Sequence, residues 1–292
     1  MRKGLENDWR RGRGGCPADS KGYTPNMILA FSAWWGTAVA IGAALAYGAL
    51  AWAASRLNVS GIRGLLLLAW LLHAVMLAEG LFGEPPRFGF APAISITVWL
   101  MLTVYAIESR LFPQLQAHGA LAGLGSAGVI LALVFPGTTH HAIASPWLPL
   151  HWALGLASYG LFAVAVVHGW LMTRSERLMR SATPMEATVP LLTLERLTFR
   201  FVEAGFVLLS ATLLVGWLFA ETLYGPRLTG LWNHKTIFSV LSWLVLAGLL
   251  IGRARLGWRG LKAVRVLYLG SGLLLLGYAG SRFVLEVILR RA

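Results

Sequence analysis

Charged residues and cysteines are scarce in this sequence of 292 residues. Only 13% of the residues are charged, whereas a soluble domain usually carries about 25%. Cys16 is the only cysteine, which excludes an internal disulfide, a CxxC redox motif and a CxxCH haem-attachment site. The HExxH, GxSxG and GxxxxGK(S/T) signatures and paired-carboxylate motifs are also absent. We therefore expect that the protein is not an enzyme.

Apolar residues, in contrast, are abundant and are grouped in long blocks. They make up 57% of the chain, and the mean hydropathy is +0.66. Each block has the length of roughly 20 residues that a helix needs to cross the hydrocarbon of a bilayer. Open sheet edges are excluded in lipid, and the alternation of a membrane barrel is absent. The fold prediction is an all-α integral membrane protein, a bundle of about eight transmembrane helices at 28–54, 62–82, 91–111, 119–136, 149–173, 200–221, 235–252 and 263–287.

The first 26 residues differ from the remainder of the chain. Residues 1–26 are polar, contain six Lys or Arg, and show no periodicity, so we expect a disordered tail or a start codon assigned too early. Residues 27–292 are predicted to form a single eight-span membrane domain. A more polar stretch before the sixth span predicts a short, separate amphipathic helix around Leu191 to Phe199.

The net charge of +13 is explained by the bilayer and not by nucleic acid, which we do not expect to be a partner. The basic residues lie in short segments between apolar blocks, where the positive-inside rule places them. The loops after spans 1, 3, 5 and 7 carry 13 Lys or Arg, and the loops after spans 2, 4 and 6 carry three. The first set is therefore predicted to be cytoplasmic, which gives an N-out/C-out bundle.

Four of the seven histidines fall at or above the predicted outer interface: His140, His141, His151 and His234. A neutral imidazole there can bind a transition metal or haem iron, and two ligands on different helices could hold a haem between them. On spacing alone, an interfacial histidine that only forms a hydrogen bond is the more common case. Trp152 and Trp232 each lie within two residues of an outer histidine, as part of an aromatic belt or as a surface that stacks on a porphyrin.

Three segments resemble the cytochrome c assembly protein family, which handles haem at the outer face of the bacterial inner membrane. Leu150 to Met172 resembles the family helix that opens with an external His ligand and continues into a Ser-Tyr-Gly stretch. Glu203 to Gly225 resembles the helix that leads outward into a Trp-rich haem loop. Leu231 to Gly260 resembles the end of that loop and a helix that ends in a Gly-Trp-Arg-Gly turn. The resemblance is best over 150–285.

The chain departs from the family pattern at two places. Trp232 is the only Trp between Ala220 and His234, and Asn233-His234 stands where the family has Asp-Pro. The chain also ends before a second external His of the major members would occur. These departures resemble the shorter, HemX-like branch of the family.

The resemblance implies a non-covalently bound haem b and a role in cytochrome c biogenesis at the bacterial inner membrane. It assigns the role of external iron ligand to His151, while His234 becomes the second ligand by its position alone. Trp152 and Trp232 are expected near the edge of the haem. Apocytochrome c or other membrane proteins of cytochrome c biogenesis are the implied partners.

Two other classes of function stay open on the sequence. A small-solute transporter would have internal repeats and broken spans with polar residues at the midplane, for which His73 is the best candidate. A structural or regulatory membrane subunit would bind no cofactor. The visible spectrum of the purified protein would separate these classes from a haem protein.

Overall fold

The computed structural model describes residues 25–83, 86–111, 117–139, 147–180, 190–219 and 234–289. Two compact units are present, Met1–Trp35 and Gly36–Ala292. The described part of the first unit is the beginning of helix α1. The second unit contains the helical bundle and all of the residues considered below.

The described residues form eight long helices and a minimal sheet of two strands. The helices are α1 (Pro25–Ala53), α2 (Val59–Phe82), α3 (Phe90–Leu111), α4 (His118–Val134), α5 (Trp147–Arg180), α6 (Leu191–Leu218), α7 (His234–Leu256) and α8 (Gly260–Leu275). Helix α8 continues through a π-helical segment (Leu276–Gly280), one α-turn (Ser281–Phe283) and a second π-helical segment (Val284–Ile288). We call the whole run Gly260–Ile288 the eighth span.

Seven of these helices are long and apolar enough to cross a membrane, and α4, with 17 residues, is apolar but shorter. The prediction of an all-α bundle with about eight spans is therefore confirmed. A stretch of 17 residues lies at the lower limit of the length that spans hydrocarbon. The orientation N-out/C-out stays a prediction.

Two strands join the loops on either side of α3 and α4. Strand β1 (Arg87–Phe88) pairs antiparallel with β2 (Thr138–Thr139), with Phe88 opposite Thr138. Gly137 has a φ of +83°, which favours glycine. A Cβ on Gly89 would lie only 2.8 Å from the Cα of Gly137, so Gly89 has no room for a side chain. This strand pair places Phe88 against Trp152 near the beginning of α5.

The amphipathic helix predicted around Leu191 to Phe199 is not a separate element. It is the first part of α6, which runs unbroken from Leu191 to Leu218. No Gly or Pro interrupts the chain at the predicted boundary, so the backbone hydrogen bonds continue. The polar first turns are held in the bundle because Glu195 accepts a hydrogen bond from Arg253 of α7.

Helix α5 connects the two hydrophobic clusters of the core. One cluster lies mainly among α1 to α4 and includes Val164 and Met172 of α5. The other lies among α5, α6, α7 and the eighth span and includes Phe162 and Ala165. Helix α5 packs against α3, α6 and the eighth span, while α7 packs against α6 and the eighth span.

Candidate functional site

His151 lies in the second turn of α5, at the end of the bundle that we call the His151 end. This end is made of the first turns of α3, α5 and α7 and the last turns of α6 and the eighth span. Its members touch one another: Trp147 of α5 stacks on Phe219 just after α6, with ring centroids 4.0 Å apart. Trp152 stacks on Phe88 just before α3, with centroids 4.7 Å apart.

The half-buried imidazole of His151 is oriented by one hydrogen bond to α6. Its Nδ1 lies 3.1 Å from the carbonyl oxygen of Thr212. A carbonyl oxygen can only accept, so Nδ1 must carry the hydrogen in this contact. In the neutral ring the lone pair is then on Nε2, for which the described residues provide no partner. This is the tautomer that binds a metal or haem iron through Nε2.

A glycine of α6 makes room for this contact. A Cβ on Gly216 would lie 3.2 Å from Cε1 of His151 and 3.6 Å from its Nδ1. On the other side of the contact, a Cβ on Gly155 would lie 3.6 Å from Cγ2 of Thr212. The close approach of α5 and α6 is therefore tight at Gly216, whereas a Cβ at Gly155 would make ordinary van der Waals contact.

His234 is the first residue of α7, and its side chain is exposed. Helices α5 and α7 have no extensive contact with each other, because α6 and the eighth span pack against both. A group held by ligands from both helices would therefore also lie against α6 or the eighth span. The pairing of His151 with His234 stays a prediction.

Trp152 faces different neighbours from those of His151. Its ring packs on Phe88 and belongs to a cluster with Leu77, Ile96 and Tyr278, whereas His151 contacts α6. Its predicted position at the edge of a haem stays a prediction. Trp232 lies outside the described residues, as do His140 and His141.

Sequence reasoning missed two charged residues, Arg282 and Glu286, at the same end. Arg282 and Glu286 lie near the end of the eighth span, and Lys235 lies in the first turn of α7. Lys235 interacts electrostatically with both. Because Arg282 and Glu286 fall inside a predicted span, their cost in lipid was a signal that could have identified them.

Two further buried polar pairs lie within the bundle. Nε2 of His73 lies 2.8 Å from Oγ of Ser95 and links α2 to α3, which is the kind of hydrogen bond between spans that we expect of His73. Nε2 of His168 donates to Oε2 of Glu108 at 2.9 Å and links α5 to α3. Both members of the second pair are almost wholly buried. The sequence did not suggest this partnership.

A comparison of the sequence with known protein families finds a match. The model described as "Cytochrome C assembly protein" matches residues 59–289, which is most of the chain. The chain belongs to the cytochrome c assembly protein family. The match runs from the start of α2 to the end of the eighth span, and so extends well beyond the resemblance at 150–285.

Individual relatives match between 65% and 79% of the chain. "Uncharacterized 28.8 kDa protein in nifR3-like 5'region" of Azospirillum brasilense is 32% identical over 65% of this chain and 68% of its own length. Inner membrane protein YpjD of Escherichia coli K12 is 26% identical over 79% of this chain and 86% of its own. Cytochrome c biogenesis protein CcsA of Prochlorococcus marinus is 23% identical over 78% and 82%. No solved structure matches the chain.

Proposed function

We propose that this protein binds haem b non-covalently at the outer face of the bacterial inner membrane and supports cytochrome c biogenesis. Family membership supports the role in biogenesis, since the relative CcsA is named a cytochrome c biogenesis protein. The name of YpjD supports the location in the inner membrane. The haem recipient on this proposal is apocytochrome c or another membrane protein of the same process.

The observation that carries the proposal is the hydrogen bond from Nδ1 of His151 to the carbonyl oxygen of Thr212. It fixes the ring orientation and leaves Nε2 as the ligand atom, as the outer partner of a metal-bound histidine does. His151 therefore fits the role of axial ligand.

His234 is proposed as the second ligand, with Trp152 and Trp232 near the haem edge. The exposed side chain of His234 is free to reach a bound group at the same end of the bundle. Haem supplies the iron that imidazole binds and the planar ring that aromatic residues stack on. The residues of this chain bind and orient it and catalyse no bond change, so the protein is not proposed to be an enzyme.

The test is the absorption spectrum of detergent-purified protein titrated with haem. The wild type should show the Soret band of a ligated haem, and His151→Ala or His234→Ala should weaken binding. His151→Gly should recover part of the binding when imidazole is added. The double variant should be little worse than the more severe single variant, because both residues act on one iron.

The matched control is His118→Ala at the first residue of α4, which should bind haem as the wild type does. If the wild type titrated with haem gives the same spectrum as the double variant, the proposal is wrong. A transporter or a structural subunit would then be the better explanation.

A further inference from the structure

Three charged side chains lie together at the His151 end, and their charges do not cancel. Arg282 and Lys235 are cationic and Glu286 is anionic, so the group carries one excess positive charge. The side chains of Arg282 and Glu286 are only 28% and 9% exposed. An uncompensated charge is costly when it is removed from water, so such a group calls for an anionic partner.

The carboxylate of Glu286 compensates only part of the positive charge of this group. Its Oε1 lies 3.8 Å from Nη1 of Arg282, which is an ion pair without a hydrogen bond. Among the described residues, the buried Nε of Arg282 has no acceptor and the buried Oε1 of Glu286 has no donor. The hydroxyl of Tyr278 is the one additional hydrogen-bonding neighbour of Arg282 in the described structure. The guanidinium therefore retains donor capacity that none of the described residues uses.

A cluster of aromatic rings adjoins these cations, with Phe88 buried and Trp152 and Tyr278 half-buried. Phe88 stacks on Trp152 at 4.7 Å and lies 6.0 Å from the ring of Tyr278, which precedes Arg282 by four residues. Glu286 also lies beside β1, since a Cβ on Gly89, the residue after that strand, would lie 2.9 Å from Oε2 of Glu286. Flat apolar rings beside a basic group suit a planar ligand that carries carboxylates at one edge.

We infer that Arg282 and Lys235 bind the propionate carboxylates of the haem. This inference rests on the proposed function and adds to it the residues that hold the acidic edge of the ring. The planar guanidinium of Arg282 can donate two parallel hydrogen bonds to one carboxylate, and the ammonium of Lys235 offers a point charge. Glu286 repels the incoming carboxylate and so tunes the affinity of the site.

The experiment compares two ligands, haem and haem dimethyl ester. They have the same iron and ring, but the propionates are anionic in haem and neutral in the ester. Wild-type protein in detergent should bind haem more tightly than the ester. Arg282→Gln should reduce this preference by roughly tenfold or more, the effect of losing a charge-assisted hydrogen bond. Its affinity for the ester should not change, which shows that the variant is folded.

Two variants provide controls of opposite kinds. Arg259→Gln removes the same charge from the other end of the eighth span, where the side chain is 70% exposed, and should leave the preference intact. Glu286→Gln removes the repelling carboxylate and should increase the preference for haem over the ester. A gain of this kind cannot arise from misfolding.

The other outcomes overturn the inference in distinguishable ways. If the wild type binds neither ligand, the proposed function fails and the inference fails with it. If the wild type binds haem through His151 but Arg282→Gln keeps the wild-type preference, only the inference is wrong. If Arg282→Gln instead loses copurifying anionic phospholipid while the preference is unchanged, the site holds a lipid phosphate and not a propionate.

Discussion

At the scale of single residues, the imidazole of His151 is held by a carbonyl that lies 61 positions further along the chain. The hydroxyl of Thr212 is not involved, because it donates to the carbonyl of Leu208 in its own helix. What α6 contributes to His151 is a backbone oxygen and the open space beside Gly216. Substitution of Gly216 therefore tests the orientation of His151 without removal of either partner.

We predict that Gly216→Ala weakens haem binding although it alters no candidate ligand. The added Cβ would lie 3.2 Å from Cε1 of His151, closer than ordinary van der Waals contact, so the ring must move and its hydrogen bond to Thr212 must lengthen. Haem titration of the purified variant should show a loss of roughly threefold to tenfold in affinity, the effect of about 1 kcal/mol.

Gly248→Ala in α7 is the matched control, since a Cβ there meets nothing within 4 Å. It should bind haem as the wild type does. Equal losses in the two variants would mean that the effect of Gly216→Ala does not pass through His151.

His73 illustrates a buried histidine with a structural role. It is fully buried and joins α2 to α3 through Ser95, and its ring meets that of Tyr47 edge-on at a centroid distance of 5.7 Å. Interhelical polar contacts of this kind contribute roughly 0.6 kcal/mol in lipid.

We predict that His73→Ala accumulates in the membrane and keeps its haem, with a loss of stability of about that size. Haem content per protein and chemical unfolding in detergent are the measurements. A loss of haem as complete as that of His151→Ala would place the site deeper in the bundle than the His151 end.

At the scale of helices, the buried pair Glu108 and His168 connects α3 to the middle of α5. Their side chains are 6% and 3% exposed, and the described residues offer no further partner for Oε1 of Glu108 or Nδ1 of His168. A buried pair contributes little net stability, but removal of one partner leaves the other unsatisfied.

We therefore predict strong coupling between the two positions. His168→Leu alone should lower the free energy of unfolding by roughly 3–5 kcal/mol, and Glu108→Leu should act similarly. The double variant should be more stable than either single variant, as measured by denaturant unfolding in detergent micelles. Additive losses in the double variant would mean that the two side chains act independently.

The helices were the most predictable part of the fold, because each apolar block must become a helix in lipid. The Gly-Trp-Arg-Gly turn was predictable as well: Gly257 and Gly260 have φ values of +63° and +57°. The pairing of β1 with β2 was not, since two residues per strand produce no periodic signal. The boundary before α6 was misplaced because polarity was taken as a break, whereas Glu195 has partners in α7.

For the candidate site, the sequence identified His151 by its place at a helix end and by the family motif around it. It could not identify Thr212, because every residue has a backbone carbonyl and the residue type does not show which one accepts the hydrogen bond. Arg282 and Glu286 were predictable in principle as charges within a span. They were overlooked because only the histidines were examined as costly residues in the apolar blocks.

At the scale of the whole molecule, the end opposite His151 carries the cations that set the orientation. Three of them lie over tryptophan rings: Arg56 over Trp52 at 4.6 Å, Arg174 over Trp170 at 5.4 Å and Lys262 over Trp258 at 4.2 Å. Tryptophan with Lys or Arg is typical of the boundary between lipid and water. The predicted cytoplasmic loops therefore lie at one interface of the bundle.

The last prediction is that this cationic interface faces the cytoplasm and that the C-terminus is external. The basis is the excess of 13 Lys or Arg over three in the loops at the two ends, together with the even number of spans. A fluorescent protein that matures only in the cytoplasm, fused after Ala292, should stay dark, and alkaline phosphatase fused at the same point should be active. Fusions of both reporters to the turn at Gly257 are the matched control and should give the reverse result. A bright fusion with inactive phosphatase after Ala292 would invert the orientation and put His151, His234 and Arg282 at the cytoplasmic face, opposite to the face proposed for haem binding.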